Sequence, residues 1–175
     1  MAIYLIVLMC TLNHTGFVGS RVAVSLYALD LGANQLAIGV LMALYGLCPM
    51  LIAVYIGKLA DRVGPRLPML MGTAGVAVAL LLPPLFPGFA TLYITALLIS
   101  TSFHFFFITV TGIAGGIGGE GNRVRNYALL SLGFSVAGFL GPMAAGFSID
   151  HLGHLPTFLL LSVFTLIPLI FKAST

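Results

Sequence analysis

The sequence predicts an all-α polytopic membrane protein with six transmembrane helices. Hydrophobic residues make up 60% of its 175 residues and charged residues only 6%, whereas a soluble domain carries about 25% charged residues. Six apolar runs follow one another, most of them near the roughly 20 residues that a membrane-spanning helix needs. Charged residues cluster between the runs. The runs are too long and too uniformly apolar for strands, which would alternate at half-buried positions.

Turn-forming or charged residues separate the six predicted segments. The third is expected to stop at the breakers Pro83-Pro84 and Pro87-Gly88. Residues 1–175 are therefore predicted to form a single six-helix transmembrane domain. In order, the segments are Ala2–Leu29, Leu36–Ile56, Leu67–Phe86, Phe89–Val110, Tyr127–Ile149 and Leu155–Phe171.

Basic residues give the predicted orientation. With the N-terminus inside, six of the seven fall on the cytoplasmic side, and only Arg21 lies toward the other side. Cytoplasmic loops are rich in Lys and Arg, so both termini are predicted to be cytoplasmic. A net charge of +3 spread over several loops argues against nucleic-acid binding, which needs a concentrated basic face. The six cytoplasmic residues are Lys58, Arg62, Arg66, Arg123, Arg125 and Lys172.

The densest charge lies between segments two and three, in 57–66, which is expected to be a loop. Its pattern Gly-x-Leu-x-Asp-Arg-x-Gly-x-Arg resembles the helix 2–3 loop signature of the major facilitator superfamily. Pro65 departs from that signature, because the family usually has a basic residue there. The matching residues are Gly57, Leu59, Asp61, Arg62, Gly64 and Arg66.

Segment five carries small residues at every fourth position, in two adjacent stripes. Small residues let membrane helices approach closely, and Pro142 is expected to bend the helix. Ala137-x-x-x-Gly141-Pro142-x-x-Ala145-Gly146 also resembles the helix 5 signature of antiporter-type facilitators, with alanine at two positions where the family usually has glycine. The stripes are Gly133, Ala137, Gly141, Ala145 and Gly138, Pro142, Gly146.

The resemblance covers essentially the whole chain and implies the N-terminal six-helix half of a bacterial inner-membrane transporter. It implies two inverted three-helix repeats, a site near the midplane and alternating access against a second half. The implied partners are the lipid bilayer, a small-molecule substrate and a second six-helix half from the same or another chain. The implied activity is secondary transport, with efflux or antiport of a small solute as the expected form. A truncated or split half that serves only as an assembly subunit is the alternative.

Polar side chains recur on one face of segment one and on one face of segment four. Because ionisable groups inside a membrane are costly, they point to function. Arg21 is expected either to contact an anionic substrate or to extend toward headgroups or Asp30. His104 is expected either to shuttle a proton or to bond a neighbouring backbone carbonyl or hydroxyl. The predicted substrate cavity comprises His14, Arg21, Ser25, Thr101 and His104, flanked by Thr11, Val18, Ile108 and Thr111, with Asn13, Tyr27 and Tyr45 as further candidates.

No motif points to an enzyme, a metal or a cofactor. Six glycines in 112–121 lack the Gly-Lys-Ser/Thr of a phosphate loop and are interpreted as a flexible cytoplasmic connector. Asp150, His151 and His154 are expected to form an exposed outer loop with too few ligands for a metal. No Asp or Glu lies mid-membrane, and His104 with three phenylalanines replaces the helix 4 arginine of many proton-coupled antiporters. Coupling through the usual carboxylate is therefore not expected within this half.

Overall fold

In the computed structural model, the backbone is described for residues 2–173 and the side chains for residues 3–167. This part of the chain forms six α-helices and a single 3-10 turn. Five helices are long and apolar enough to cross a membrane, and the apolar stretch described for the sixth is shorter. Lys172 is predicted to be cytoplasmic, but its side chain lies outside the described part, as do residues 174–175. The helices are α1 Ala2–Asp30, α2 Gln35–Val63, α3 Arg66–Leu85, α4 Phe89–Gly116, α5 Arg123–Leu152 and α6 His154–Ala173.

The charged segment between α2 and α3 is mostly helical, which corrects the loop prediction. Helix α2 continues through 57–63 and ends at Gly64, whose φ of 79° suits glycine. Pro65 and Arg66 follow directly, and α3 begins there. The charged residues favour helix as well as loop, because a helix that projects beyond the hydrocarbon exposes them to headgroups and water.

The predicted flexible connector between segments four and five is wrong in extent. Helix α4 continues through Gly116, and a 3-10 turn at Glu120–Asn122 leads directly into α5. Asn126, which is buried, donates from Nδ2 to the carbonyls of Ala114 and Ile117 at 2.9 and 2.8 Å. Two carbonyls near the end of α4, which lack helical partners, are satisfied by this side chain.

The predicted outer loop around Asp150 and His151 is also wrong. Helix α5 continues through both residues to Leu152, and only Gly153, with φ of 91°, separates it from α6. His154 is half-buried rather than exposed on a loop: its ring stacks on Tyr27 at 5.4 Å, and its Nε2 lies 4.0 Å from an Asp30 carboxylate oxygen.

Helix α3 ends within one residue of its predicted end, between the two pairs of predicted breakers. The helix passes through Pro83 and Pro84 and ends at Leu85, one residue before the predicted Phe86. Its last turn is closed by the amide of Phe86, which donates to the carbonyl of Leu82 at 2.8 Å. Because Pro83 and Pro84 have no amide hydrogen, the carbonyls of Ala79 and Leu80 lack their helical donors, and the helix ends one residue after Pro84.

Helices α1 and α4 form the centre of the bundle, where α1 contacts α4, α5 and α6, and α4 contacts α2 and α3. Close approach depends on glycine: a Cβ on Gly72 would lie 2.6 Å from the Phe106 amide, so α3 and α4 touch backbone to backbone. Helices α2 and α5 keep the largest share of their apolar surface open. The bundle therefore places one face of α1 and α4 between two open helices.

Candidate functional site

A cluster of aromatic rings joins the polar faces of α1 and α4. Phe17 and Phe103 stack with ring centroids 4.0 Å apart and planes 15° apart. The His14 ring lies 5.1 Å from Phe103, and the His104 ring lies 6.1 Å from Phe17. Both predicted histidines thus contact the same pair of phenylalanines. We define the aromatic cluster as His14, Phe17, Tyr45, Phe103, His104, Phe107 and Phe134.

The aromatic cluster has a buried layer and a half-exposed layer. Phe17, Tyr45 and Phe103 are buried among the helices. The other four rings, from α1, α4 and α5, belong to half-buried residues. A molecule on this face would meet rings whose positions are held from behind by packed rings. The half-exposed rings are those of His14, His104, Phe107 and Phe134.

The two histidines differ in their hydrogen bonding. His104 Nδ1 lies 2.8 Å from the Ser100 carbonyl, so Nδ1–H donates to that oxygen and Nε2 is left as the acceptor of a neutral ring. His14 Nδ1 is buried and has no hydrogen-bond partner among the described residues. His104 can therefore exchange a proton or a hydrogen bond with a ligand through Nε2 while the Ser100 carbonyl holds Nδ1, whereas His14 has no such anchor at Nδ1 among the described residues.

Arg21 lies at the end of the aromatic cluster beside Tyr45. Its guanidinium carbon is 5.8 Å from the Tyr45 ring centroid, and its carbonyl accepts from Ser25 Oγ at 2.8 Å. No carboxylate among the described side chains lies within 4.0 Å of it, since Asp30, the acid of the same helix, is nine residues further along, about 13 Å at 1.5 Å per residue, and lies beside His154. Arg21 is exposed at an open groove of about 360 Å³, lined also by Val18, Val22, Ser25, Leu26 and Met42.

The remaining predicted polar residues differ in exposure. Thr101 is half-buried on α4, and Thr111 donates to the carbonyls of Phe107 and Ile108 within its own helix. Asn13 is fully buried, with both amide atoms unpaired among the described residues. Tyr45 joins the aromatic cluster, and its hydroxyl lies 3.1 Å from Ser20 Oγ. Tyr27 lies outside the aromatic cluster, and its ring stacks on that of His154.

The segment that resembles the helix 2–3 signature spans the end of α2 and the start of α3. Gly57, Leu59, Asp61 and Arg62 lie on α2, Gly64 ends it, and Arg66 begins α3. Tyr55, Lys58, Leu59 and Arg62 line a groove of about 330 Å³. Asp61 is exposed near the carbonyl end of α2, where the helix dipole disfavours a negative charge.

The two small-residue stripes of α5 face different surroundings. Ala137, Gly141 and Ala145 are buried, and a Cβ on Gly141 would lie 2.8 Å from the Thr15 carbonyl of α1. Gly138 and Gly146 have no atom within 4 Å of a Cβ position, and Pro142 between them is half-buried. The first stripe forms the α1 contact, and the second contributes to an open face of α5.

Sequence reasoning missed most of the aromatic cluster. It noted three consecutive phenylalanines beside His104 only as the absence of an arginine, and two of them, Phe106 and Phe107, pack into the bundle. A signal was present, because Phe103 and Phe107 are four residues apart and therefore neighbours on one face of a helix, beside His104. The partners Phe17 and Phe134 lie on other helices. Asn126 was also missed, since a single Asn near a helix start resembles an ordinary cap.

Comparisons with known proteins give a family and distant relatives. Residues 6–173 match the profile of the family described as Major Facilitator Superfamily. The tetracycline resistance protein, class B, of Escherichia coli is 28% identical over 143 residues, covering 76% of this chain and 33% of the relative. The quinolone resistance protein NorA of Staphylococcus aureus is 25% identical over 130 residues, covering 74% and 34%. The chain thus spans about a third of the length of these relatives.

Proposed function

The chain belongs to the Major Facilitator Superfamily, and from this premise we propose that it is one six-helix half of a secondary transporter. In this proposal it exports a small solute by alternating access, rocking against a second six-helix half around a site near the midplane. The chain itself supplies the side of that site formed by α1 and α4, and the lipid bilayer surrounds the other surfaces of the chain.

The half-exposed face of α1 and α4 is the observation that carries the proposal. Two histidines and an arginine lie on membrane-spanning helices, where ionisable groups are retained mainly for function. They share an aromatic cluster whose buried layer keeps the exposed rings in place. A fixed, amphipathic face of this kind suits reversible binding of a small organic molecule, because such pockets combine apolar walls with a few polar groups.

The second half is needed because this face is open. A transport site must be closed from one side of the membrane at a time, and the described residues of this chain cover only one side of the aromatic cluster. The open faces of α2 and α5 flank it, and the second stripe of α5, with Gly138 and Gly146, offers a surface that another helix can approach closely. A second half in the same polypeptide or a second copy meets the same requirement.

Export is supported by the names of the two relatives, each described as a resistance protein. Cytoplasmic termini and an inner-membrane location are part of the proposal, and the distribution of basic residues supports them. The proposal also includes proton coupling through His14 and His104. All four acidic residues of the chain lie at helix ends or in the 3-10 turn, so none of them lies at mid-membrane to carry the proton.

Reconstitution into proteoliposomes tests the proposal. The chain is purified, its mass in nanodiscs is measured, and solute flux is followed with the chain alone and with a candidate second half. We expect saturable flux only in assemblies that contain two halves. Saturable transport by a strict monomer would contradict the rocking mechanism. Two-half assemblies without flux would support the alternative, an assembly subunit that does not transport.

A further inference from the structure

We propose that the open face of α1 and α4 selects elongated aromatic anions, with the acidic group at Arg21 and the ring system against the half-exposed rings of the aromatic cluster. This proposal rests on the proposed function and names the class of solute. It makes Arg21 the residue that determines charge specificity, and the two histidines the residues that position the rings.

The charge distribution favours an anion over a cation. The chain has four acidic residues, which lie at the ends of α1, α2 and α5 and in the 3-10 turn, so none of them faces the middle of the membrane. Arg21 lies on the membrane-spanning part of α1 without a carboxylate partner among the described side chains. A cationic solute would meet an unpaired positive charge and no carboxylate on this half, whereas an anion would compensate Arg21.

Cation–π attraction does not reverse this preference. Aromatic faces attract cations, but the Tyr45 face already carries the Arg21 guanidinium at 5.8 Å. Tyr45, Phe17 and Phe103 are buried behind the exposed layer, so their faces are closed to a solute. The exposed rings include two imidazoles, His14 and His104, which can only become positively charged. The other exposed rings, Phe107 and Phe134, offer a cation only the weak attraction of a neutral ring face. Every ionisable group on the open face is therefore neutral or positive.

The spacing along α1 sets the length of the solute. Arg21 is seven residues beyond His14, which corresponds to about 10 Å along a helix. Buried rings lie behind this span: Arg21 is 5.8 Å from Tyr45, Tyr45 is 5.7 Å from Phe17, and Phe17 is 6.1 Å from His104. The groove of about 360 Å³, which is lined by Arg21 and by non-aromatic side chains, lies at the Arg21 end of the span. Two or three fused rings with a terminal carboxylate or sulfonate match this length.

An aromatic rather than an aliphatic tail follows from the shape of the exposed layer. Flat rings with fixed orientation bind flat rings through offset or edge contacts, which an alkyl chain cannot reproduce. The rings of His14, Phe107 and Phe134 are connected by centroid distances of 5.0 and 5.3 Å, which leaves a continuous ring surface. An acyl chain would bury area on this surface without those directional contacts.

Fluorescence anisotropy with two dyes tests the inference. Fluorescein, an aromatic anion, and a rhodamine ester, a cation on the same ring system, are titrated against the chain in nanodiscs of zwitterionic phosphatidylcholine. We expect fluorescein to bind at least about tenfold more tightly than the rhodamine, because only the anion can accept a charge-assisted hydrogen bond from the Arg21 guanidinium. Arg21→Gln should remove this preference, and Arg21→Lys should keep part of it, because lysine retains the charge without the planar fork.

The matched control is Arg125→Gln. It removes the same single charge from an exposed position in the first turn of α5, so the preference for fluorescein should persist. Equal or tighter binding of the rhodamine, an unchanged preference in Arg21→Gln, or absence of binding by both dyes would overturn the inference. If fluorescein no longer binds when the nanodiscs contain anionic phosphatidylglycerol, Arg21 binds a lipid headgroup instead. That result would overturn the inference as well.

A flux measurement separates this inference from the proposed function. In proteoliposomes that contain two halves, transport of the rhodamine but not of fluorescein would contradict the inferred anion specificity and would support the transport proposal. Fluorescein binding that depends on Arg21, together with no flux of any solute in two-half assemblies, would support the inferred binding specificity and would contradict the transport proposal.

Discussion

Gly19 on α1 and Gly141 on α5 meet backbone to backbone. A Cβ placed on Gly141 would lie 2.9 Å from the Gly19 amide nitrogen, and one placed on Gly19 would lie 3.0 Å from the Gly141 carbonyl oxygen. Both helices therefore approach as closely as two membrane helices can, and neither backbone can move aside cheaply. This contact holds α5 against the helix that carries His14 and Arg21.

Gly141→Leu should lower the stability of the bundle in detergent. The new side chain would displace α5 from the carbonyl of Thr15, and overpacking of this kind costs about 1–3 kcal/mol or more. Thermal unfolding of the purified chain measures the effect. Gly138→Leu is the matched control, since nothing lies within 4 Å of a Cβ at Gly138. Equal melting temperatures for the two variants would show that the α1–α5 contact is looser than described.

Asn126→Leu should also destabilise the chain, because it leaves the carbonyls of Ala114 and Ile117 without a donor. A buried unsatisfied acceptor costs about 1–3 kcal/mol. Asn122→Ala provides the comparison: its side chain donates to the Gly118 carbonyl at 2.8 Å in an exposed position, where water replaces the bond. A loss of stability as large for Asn122→Ala as for Asn126→Leu would argue against the role of burial.

The predicted orientation can be measured by cysteine labelling. In a chain with Cys10 and Cys48 changed to alanine, single cysteines at Lys58 and Asp30 should react from opposite sides of the membrane. The expectation follows from the position of these residues at opposite ends of the first two helices and from the distribution of basic residues. Labelling of both sites from the same side would contradict the six-helix topology.

Asp61→Asn should slow transport in a two-half assembly while leaving folding nearly unchanged. An acid near the carbonyl end of a helix is disfavoured by the dipole, so its removal should not cost stability, and a role in contacts between the halves would explain its presence. Asp150→Asn, near the end of α5 and predicted to lie on the outer side, removes the same charge as a control. Wild-type flux in Asp61→Asn would mean that the side chain is merely solvated.

His104→Phe and His14→Phe should each reduce solute flux, although each keeps an aromatic ring. Phenylalanine preserves the ring contact with Phe103 but removes the nitrogen that can exchange a proton or a hydrogen bond. The measurement is flux against binding in the same assembly. Binding that persists while flux falls would assign the histidines to coupling. Wild-type binding and flux in both variants, and in the double variant, would show that the assigned face does not line the cavity.

The periodicity of polar residues predicted the cavity faces of α1 and α4 from sequence, because a helix repeats every 3.6 residues and two ionisable groups on one membrane helix are conspicuous. The same reasoning missed Phe17, Phe103 and Phe134, which are common residues in apolar helices. Their contact depends on how three helices cross. Helix ends were misplaced for a related reason: Asp61 and Asp150 are polar, but polarity marks the membrane boundary rather than the end of a helix.

The sequence by itself determined the membrane class, the number and order of the helices and the family, because hydrophobic length and a local charged motif are properties of contiguous residues. Tertiary structure decided which small residues of α5 touch α1. Gly138 and Gly141 are the same residue type and differ only in the side of the helix that they occupy. It also decided that Arg21 points to Tyr45 while Asp30 pairs with His154. Choices of this kind depend on distances between helices, which no single stretch of sequence contains.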